Sequence, residues 1–529
     1  MGEVHPLERP SSFVDPIHGL VRLTEEELRV IDTPTFQRLR RVKQNGLLHL
    51  VFPAATHSRF EHSIGVLACV DAMLQALILN SEAARKKLAT AGEAKPGEGV
   101  DFSALDSRTL RSIFRVARLA ALVHDLGHGP CSHAFDSFAP RRTRIRQMLT
   151  RDDALEPLRL YVEHILGRKK ADKADKADKE REPVRHEVMS VILFAWVWHD
   201  KGPSAEPELL LAVCASILGG KFIDAIPEHP LAPWLPLLHD LVASAPVDAD
   251  RMDYVERDSR SCGVTYGIYD RDRLLKSLLC YRAAEDTPAG APRYRLGWKR
   301  SGLRAIENFL QARFQLFVQV YYHKTNHALT LMLKEIGDRA KVLGKEIFPE
   351  TSLRELARAY AELGDESFLR LLRGLDPTRF KREHELHTIA EAIEHRRFWH
   401  RIYESHDGIR PAVVVLQALK KLAPEEHLRL DEQHLKATKD LDRGGALLDR
   451  GGGERGHYRV RRDAKWTSAS PVLKTLEDQE RAITRVYFCR SVRIGDGDDG
   501  SSSWEEIKQT TRALQKEARR LDSEHPKKR

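Results

Sequence analysis

The chain has 529 residues and a formal charge of +9, which is compatible with contact to phosphates or nucleic acid but does not require it. Hydrophobic residues make up 42% of the chain, enough for a large core, yet the longest uninterrupted apolar run (191–198) is too short to span a bilayer, and no signal peptide is visible. Six scattered cysteines without a C-x-x-C pair argue against a disulfide framework or a zinc–thiolate site, so we expect a cytoplasmic protein without a membrane span.

The first candidate residues lie where a long helix is predicted to begin. The stretch "HSRFEHS" (57–63) supplies His57, Arg59 and His62. The residues that follow have the apolar spacing of a helix. The apolar residues with this spacing are Ile64, Leu67, Leu74 and Ile78.

The stretch "LVHDLGHGPCSH" (122–133) places three histidines and one aspartate close together. One interpretation is a helix end with polar residues on its wet face, because glycine and proline follow. The other is a metal site, because burying several imidazoles and a carboxylate is costly unless a cation pairs with them. This stretch alone does not decide between the two interpretations.

A charged insertion is expected at about 138–184. It contains "KADKADKADKERE" (170–182), whose repeat has no apolar face and therefore favours a mobile loop. A second loop, bearing glycine and proline, is expected at 89–101. After the insertion, "RHEVMSVILF" (185–194) places His186 at the start of another predicted helix.

Two further helical segments carry polar residues at regular spacing. In "PVDADRMDYVERD" (246–258), Asp250, Tyr254 and Asp258 recur every four residues and share one helix face. By itself this stretch is more typical of a solvated charged helix. Apolar residues at spacings of three and four predict another helix over 303–321.

The predicted fold is mainly α, because long alternating runs are scarce before residue 450. We expect an all-helical domain over 1–340 and a smaller mixed α+β region over 341–529. Within the second region the sequence predicts a flexible break at 442–456, strands at 457–463 and 481–494, and a solvated helix at 503–521. "GDGDDG" (495–500) has a glycine-rich spacing, but its aspartates would repel a phosphate, so we interpret it as a loop.

Five blocks in chain order resemble a known family. The pattern H…HD…D, centred on "HDLGHGP", resembles the HD phosphohydrolase superfamily. Together the blocks resemble the deoxynucleoside triphosphate triphosphohydrolases of the sterile-alpha-motif-and-HD-domain type, and we expect no sterile-alpha-motif domain before them. The blocks are "DPIHG" (15–19), "IDTPTFQRLRRVKQNG" (31–46), "FPAATHSRFEHSIGV" (52–66), "HDLGHGPCSHAFD" (124–136) and "DADRMDYVERD" (248–258).

The resemblance implies a divalent metal at the HD site and a set of catalytic histidines. Two imidazoles and two carboxylates suit Fe, Mn or Zn, with Mg accompanying the nucleotide. His186 would act as an acid or base near the attacked phosphorus, and His128 would contact the α-phosphate. His133, oriented by Asp136, would give a proton to the leaving 5′-oxygen. The implied metal ligands are His62, His124, Asp125 and Asp250.

The resemblance also implies contacts to a nucleotide substrate. The arginines would neutralise phosphates, and Tyr254 and Asp258 would contact the sugar. Tyr321 would close off the 2′-carbon, although its spacing fits an apolar core position equally well, and Gln44 would lie near the ribose or base. The full set is Gln44, Arg59, Arg251, Tyr254, Asp258, Arg313 and Tyr321.

The chain departs from the family pattern at four positions, one of which is Arg251, where the family usually has lysine. Phe317 stands where the family generally has histidine and Tyr322 where it has glutamine, so phosphate contacts on this helix are depleted. Val14 stands where asparagine would help to hold an activating nucleotide. A nucleotide activator nevertheless stays an open prediction, because other matching regulatory residues are present: Asp32, Gln37 and Arg40.

Three functions compete. The leading one is metal-dependent hydrolysis of deoxynucleoside triphosphates to deoxynucleoside and inorganic triphosphate, by a homodimer or tetramer. The loss of histidine at Phe317 favours an HD phosphohydrolase acting on another nucleotide or nucleic-acid phosphate ester. A non-catalytic nucleotide sensor or nucleic-acid-binding module would tolerate degraded metal ligands, whereas all four are present.

Overall fold

The structure is a computed structural model. Four predicted segments lie wholly or mostly outside the part of the chain that it describes: the loops at 170–182, 442–456 and 495–500, and the strand at 457–463. The described residues are 5–167, 182–201, 206–244, 246–283, 290–342, 352–373, 383–406, 409–434, 447–448, 470–478, 482–489 and 501–524.

Helices dominate the described residues, so the predicted mainly α fold is confirmed. Helix α3 is central, and both α4 and α12 pack against it. The helices before the insertion and within it are α1 (Glu25–Ile31), α2 (Pro34–Gln37), α3 (Arg59–Ala84), α4 (Ser107–Val123), α5 (Arg142–Arg151), α6 (Glu156–Arg159) and α7 (Val162–Leu166). Those after it, up to the C-terminal region, are α8 (His186–Lys201), α9 (Pro207–Leu218), α10 (Gly220–Ala225), α11 (Leu235–His239), α12 (Ala249–Cys262), α13 (Arg271–Lys276), α14 (Leu303–Leu316) and α15 (Lys324–Val342).

The remaining helices and the strands follow a simple order. Strands β1 and β2 form a hairpin, β3-β4-β5-β8 form a small mixed sheet, and β6-β9-β7 form an antiparallel sheet. The helices are α16 (Leu353–Glu362), α17 (Asp365–Arg373), α18 (Glu383–Glu394), α19 (Ile409–Leu419), α20 (Pro471–Asp478) and α21 (Ser501–Glu524). The strands are β1 (Ser11–Asp15), β2 (Gly19–Leu23), β3 (Gly99–Val100), β4 (Leu278–Arg282), β5 (Tyr294–Trp298), β6 (His400–Ser405), β7 (Leu428–His434), β8 (Leu447–Leu448) and β9 (Ala482–Phe488).

Several predicted elements differ from the structure in their details. The described part of the insertion is helical, and Ile145 and Leu149 of α5 are fully buried in the main core. The predicted 89–101 loop ends in β3, which pairs with β4. The helix predicted over 303–321 is α-helical only to Leu316, and a π-helical turn, Phe317–Tyr321, follows it.

Two large clusters and one small cluster of buried residues form the interior of the described part of the chain. The main cluster includes residues of α16, α17 and α18, and it also takes in Leu473 and Leu476 of α20 and Tyr487 of β9. A second cluster begins at Ile402 and joins the β6-β9-β7 sheet to α19 and α21. The division near residue 340 stays a prediction, and the helices between 353 and 394 share the main core.

Helix α3 is apolar enough to resemble a membrane span. Among the described residues, the helical segment Arg59–Lys87 is long and apolar enough to cross a membrane. However, 67% of its most apolar window is buried inside the protein. Such burial is typical of a core helix. The sequence analysis considered only uninterrupted apolar runs. It overlooked this helix because polar residues such as Asp71 interrupt the apolar residues.

Candidate active site

A cavity of about 600 Å³ contains most of the candidate site residues. His62 and His124 do not line it, because they are buried behind its wall, and Asp136 is also absent from the lining. The sequence-predicted residues that line it are Gln44, Arg59, Asp125, His128, His133, His186, Asp250, Arg251, Tyr254, Asp258, Arg313 and Tyr321.

Three helix ends bring the predicted metal ligands together. Ser58 and Glu61 form a capping box at the start of α3, which places His62 in its first turn. His124 and Asp125 follow the last residue of α4 directly. Asp250 lies in the first turn of α12, after the N-cap Asp248.

The side chains of His62, His124, Asp125 and Asp250 converge at one point, which we call the HD point. The Nε2 atom of His62 lies 3.1 Å from Asp250 Oδ1 and 3.6 Å from Asp125 Oδ2. The Nε2 atom of His124 lies 3.5 Å from Asp125 Oδ1 and 3.8 Å from Asp250 Oδ1. Ligand atoms of His62, His124 and Asp125 are close enough together to hold one cation.

Both imidazoles present their Nε2 atoms to this point. His62 Nδ1 lies 2.7 Å from Asp253 Oδ2, and His124 Nδ1 lies 2.8 Å from the carbonyl oxygen of Ala121. When these Nδ1–H groups donate, each Nε2 carries a free lone pair. Both Nε2 atoms are buried and have no hydrogen-bond partner among the described residues. Two inward-facing lone pairs beside two carboxylates fit a divalent cation.

The charged groups around the HD point favour a positive charge there. Burial opposes protonation of His62, but Asp250 and Asp253 raise its pKa to about 10. Burial likewise opposes ionisation of Asp125, yet Arg59 and the neighbouring histidines hold its pKa well below its usual range. The carboxylates are therefore ionised and attract either a proton or a metal ion.

A buried ion-pair network holds His62 from behind. Asp253 accepts hydrogen bonds from His62, from His18 Nε2 (2.6 Å) and from two nitrogens of Arg257 (2.8 and 2.9 Å). Arg257 also pairs with Asp15, so Asp15 and His18 of "DPIHG" both belong to this network. Sequence reasoning did not assign Asp253, His18 or Arg257, because periodicity alone does not distinguish them from surface charges.

Two glycines permit this packing. A Cβ atom at Gly65 would lie 2.0 Å from Asp253 Oδ1, so only glycine leaves room for the network beside α3. A Cβ at Gly127 would lie 2.2 Å from the carbonyl oxygen of His186 and from the amide nitrogen of Ser190. The loop after Asp125 therefore packs directly on the start of α8 and sets the position of His186.

Three histidines stand beside the HD point. The rings of His128 and His186 stack with centroids 3.8 Å apart, and His133 lies 5.0 Å from His128 and 5.4 Å from His186. Burial, Arg59 and His186 lower the pKa of His128 well below its usual value. Burial also lowers the pKa of His186, although Glu187 opposes this shift. Both rings are therefore neutral at neutral pH.

The predicted orientation of His133 by Asp136 is weak in this structure. His133 Nδ1 lies 3.8 Å from Asp136 Oδ2, beyond hydrogen-bond distance. The side chain of His133 is 71% exposed. His133 therefore has room to turn toward a bound group.

The sugar-contact candidates form two hydrogen-bonded groups. The hydroxyl of Tyr321 donates to Asp258 Oδ2 at 2.5 Å, and His57 Nε2 lies 2.7 Å from Asp258 Oδ1. Arg313 donates to the hydroxyl of Tyr254 at 2.9 Å. Tyr321 lines the cavity and also packs against the main core, so its contact with the 2′-carbon stays a prediction. The π-helical turn widens the helix at this point, as is common at functional sites.

The remaining arginines are paired with carboxylates. Arg59 donates to Asp125 and also to the hydroxyl of Ser132 at 3.0 Å. Arg251 donates to Asp248, whose pKa burial raises to about 7 despite this pairing. Phe317 packs under the guanidinium of Arg313, with its ring centroid 5.0 Å away.

Sequence reasoning missed one whole side of the cavity. His327 of α15 and Gln433 of β7 line it, as does Asn45, which precedes a 3₁₀ turn at Gly46–Leu50. Gln433 belongs to the C-terminal region, where no sequence motif marked a site residue. Only the assembled fold brings β7 next to α15.

Comparison with known proteins places the chain among HD-domain relatives. No family model matches it. It is 28% identical over 320 residues to an uncharacterised protein of Methanocaldococcus jannaschii, covering 60% of this chain and 48% of that protein. It is 25% identical over 445 residues to the deoxynucleoside triphosphate triphosphohydrolase SAMHD1 of Mus musculus, covering 80% and 57%. A putative HD domain-containing protein of Acanthamoeba polyphaga mimivirus is 24% identical over 410 residues, covering 74% and 73%.

A solved structure supports the fold. A hypothetical protein from Aquifex aeolicus matches with a TM-score of 0.54 and 24% identity, covering 94% of this chain and 99% of that one. The chain spans about half the length of the first curated relatives, 48% of the Methanocaldococcus jannaschii protein and 57% of mouse SAMHD1. The resemblance to the HD phosphohydrolase superfamily that the motifs predicted is confirmed by these relatives.

Proposed function

We propose that the chain hydrolyses deoxynucleoside triphosphates to deoxynucleoside and inorganic triphosphate in this cavity, with a divalent metal at the HD point. The observation that carries the proposal is the convergence of His62, His124, Asp125 and Asp250 on one point beside a cavity of about 600 Å³. A cavity of this volume suits a ligand of nucleotide size. The relative named as a triphosphohydrolase adds support.

The metal, when bound, would supply the charge that polarises a phosphate oxygen and activates a water molecule. His186 is placed to accept a proton, because its burial keeps the ring neutral at neutral pH. His133 is exposed enough to approach the leaving 5′-oxygen and give it a proton. His128 is neutral and can contact the α-phosphate only as a hydrogen-bond donor.

The other lining residues would bind the substrate. Arg313 and Arg251 face the cavity and can exchange their present partners for phosphate oxygens, which are stronger acceptors. Tyr321 and Asp258 would pack on the sugar, with Asp258 accepting from its 3′-hydroxyl. The bulk of Tyr321 would leave no room for a 2′-hydroxyl.

A second candidate is an HD phosphohydrolase acting on another phosphate ester of a nucleotide or nucleic acid. Phe317 favours it, because this apolar ring occupies the wall beside Arg313, where histidine would offer a phosphate contact. A substrate with fewer phosphates would need fewer contacts there.

Product analysis separates the two candidates. Metal-loaded protein is incubated with each common dNTP and rNTP, and the products are resolved by ion-exchange chromatography. Deoxynucleoside plus triphosphate supports the proposal. Nucleoside monophosphate plus pyrophosphate, or turnover of ribonucleotides alone, favours the second candidate, and binding without any product favours a sensor.

A further inference from the structure

We propose that Asp365, which lies in the predicted C-terminal region, positions His133 for its step in the reaction by holding the strained turn before it. This inference rests on the proposed function, because it takes His133 as the group that gives a proton to the leaving 5′-oxygen. Asp365 does not line the cavity, and no motif in the sequence marks it. It acts only through the backbone of the turn and is therefore a positioning residue.

The turn formed by Cys131 and Ser132 has an unusual backbone. These residues have φ angles of 59° and 55°, and they are two of the three non-glycine residues with positive φ among the described residues. In this left-handed conformation Cβ lies too close to the backbone, so such residues adopt it only where their surroundings impose it. The turn opens the Ser132–Phe138 3₁₀ helix, which carries His133. Other parts of the fold must therefore hold the turn in place.

Asp365 holds the Cys131–Ser132 turn from the first residue of α17. Its side chain is buried, and its Oδ1 accepts from the amide of Cys131 at 2.7 Å while Oδ2 accepts from the amide of Lys43 at 2.9 Å. The hydroxyl of Ser132 lies 2.8 Å from the carbonyl oxygen of Lys43 and accepts from Arg59 Nε at 3.0 Å. One carboxylate therefore joins the turn to the segment that also orients an arginine of the site.

Two glycines let these segments approach each other. A Cβ atom at Gly364, immediately before α17, would lie 2.6 Å from the Cβ of Arg41 and 2.9 Å from its carbonyl oxygen. A Cβ at Gly46 would lie 2.6 Å from the carbonyl oxygen of Cys131. The start of α17, the segment 41–46 and the Cys131–Ser132 turn are therefore in direct contact, so the carboxylate has little freedom to move.

His133 depends on this backbone because no hydrogen bond among the described residues fixes its ring. The side chain is 71% exposed, and its Nδ1 lies 3.8 Å from Asp136, beyond hydrogen-bond distance. The ring lies beside those of His128 and His186, at centroid distances of 5.0 and 5.4 Å. The direction in which the turn points the side chain therefore decides whether the imidazole reaches the leaving oxygen.

The chemistry of the leaving group supplies the test. In the proposed reaction a water oxygen bonds to the α-phosphorus, the bond from phosphorus to the 5′-oxygen breaks, and that oxygen takes a proton from His133. A dNTP with sulfur in place of the 5′-oxygen does not need this proton, because sulfur leaves as a stable thiolate. Comparing the oxygen and sulfur substrates therefore measures the contribution of His133 separately from the rest of the site.

Asp365→Asn keeps the side-chain size but offers one acceptor to two amides. With the oxygen substrate kcat should fall about 10- to 100-fold and KM should change less than about threefold, because small displacements of a catalytic group have effects of this order. With the sulfur substrate kcat should stay within about threefold of wild type. In a His133→Ala background, Asp365→Asn should lower kcat less than about twofold further. Equal losses with both substrates, or no loss with either, would overturn the inference.

A matched control and a second variant accompany this experiment. Glu366→Gln changes the next residue of α17, whose side chain is 82% exposed and lies 3.7 Å from Arg370, and it should leave both substrates unchanged. If Asp365→Asn does not fold, Gly364→Ala tests the same arrangement, because its Cβ would push α17 away from Arg41 while the carboxylate remains. Gly364→Ala should slow the oxygen substrate more than the sulfur substrate, and equal slowing would overturn the inference.

A measurement without turnover separates this inference from the proposed function. Protein labelled with ¹³C at histidine Cε1 gives one NMR signal for each histidine, and His133→Ala identifies the signal of His133. Asp365→Asn should shift or broaden this signal, because the ring moves relative to its two neighbouring imidazoles. A shifted signal without dNTP hydrolysis by the wild type would refute the triphosphohydrolase and support the positioning. An unchanged signal with hydrolysis would refute the positioning and leave the triphosphohydrolase supported.

Discussion

Replacing Asp253 by asparagine tests whether the buried network behind His62 controls metal binding. Asp253 is fully buried and accepts four hydrogen bonds, at 2.6–2.9 Å, from His18, His62 and Arg257. The adjacent cations hold its pKa well below the usual value, although burial opposes ionisation. The asparagine side chain would keep one oxygen and would turn an amide nitrogen toward these donors.

Two effects should follow from the loss of the Asp253 charge. Removing one charge from a buried pair typically costs about 3–5 kcal/mol, and the remaining oxygen places the expected loss in the free energy of unfolding at the lower end. Groups that orient metal-ligating histidines typically contribute 10–100-fold to metal affinity, so we expect about a tenfold to hundredfold weaker Mn²⁺ binding. Denaturant unfolding of the metal-free protein and calorimetric Mn²⁺ titration measure the two effects separately.

Controls distinguish orientation from general destabilisation. Glu256→Gln removes a carboxylate from the same helix, where Glu256 pairs with exposed Arg260, and should change stability by less than about 0.5 kcal/mol. His18→Ala weakens the network but leaves the contact between Asp253 and His62, so it should destabilise the fold while changing Mn²⁺ affinity less than about twofold. Wild-type Mn²⁺ affinity in Asp253→Asn would refute the reasoning.

Three further predictions concern the site and the fold. Asp125→Ala should abolish turnover while circular dichroism shows an intact fold, and retained activity would remove the HD assignment. Gly127→Ala should lower kcat and destabilise the protein by about 1–3 kcal/mol, because its Cβ would lie 2.2 Å from the backbone at the start of α8; a wild-type unfolding midpoint would contradict this close approach. Burial raises the pKa of Asp71, but a hydrogen bond from His5 and the charge of Arg118 lower it more, from 3.8 to about 2. Because this folded-state pKa is depressed, the stabilisation is present above about pH 4 and is lost as the pH falls to about 2; Asp71→Asn should therefore remove about 2 kcal/mol at neutral pH and flatten unfolding stability across that window.

The HD point could be anticipated from sequence because its chemistry is concentrated in short stretches. Adjacent His124 and Asp125 at a helix end, and Asp250 in a first helical turn, are visible without a fold. The network behind them is not visible, because Asp253 looks like any charge on a solvated helix until α3 covers it. One of its partners, His18 of "DPIHG", lies more than two hundred residues away, and no periodic pattern connects the two.

Local patterns also failed where tertiary packing decides the structure. The 303–321 stripe predicts one continuous α-helix, but the hydrogen bond between Tyr321 and Asp258 accompanies a π-helical turn there. The sequence predicted only a charged insertion at about 138–184, yet apolar residues of α5 to α7 within it reach the main core. Average composition over a segment does not indicate which face of it will be buried.

The C-terminal region is part of the cavity as well as a separate core. Alternate residues of β7 face in opposite directions: Leu428 and Leu430 join the second buried cluster, whereas Asp431 contacts α15. Arg429, on the same face as Asp431, pairs with Glu335 of α15. One strand thus anchors the second core to the helix that follows the sugar-contact residues. His327 and Gln433 both line the cavity, so a movement of this sheet would displace part of the cavity wall.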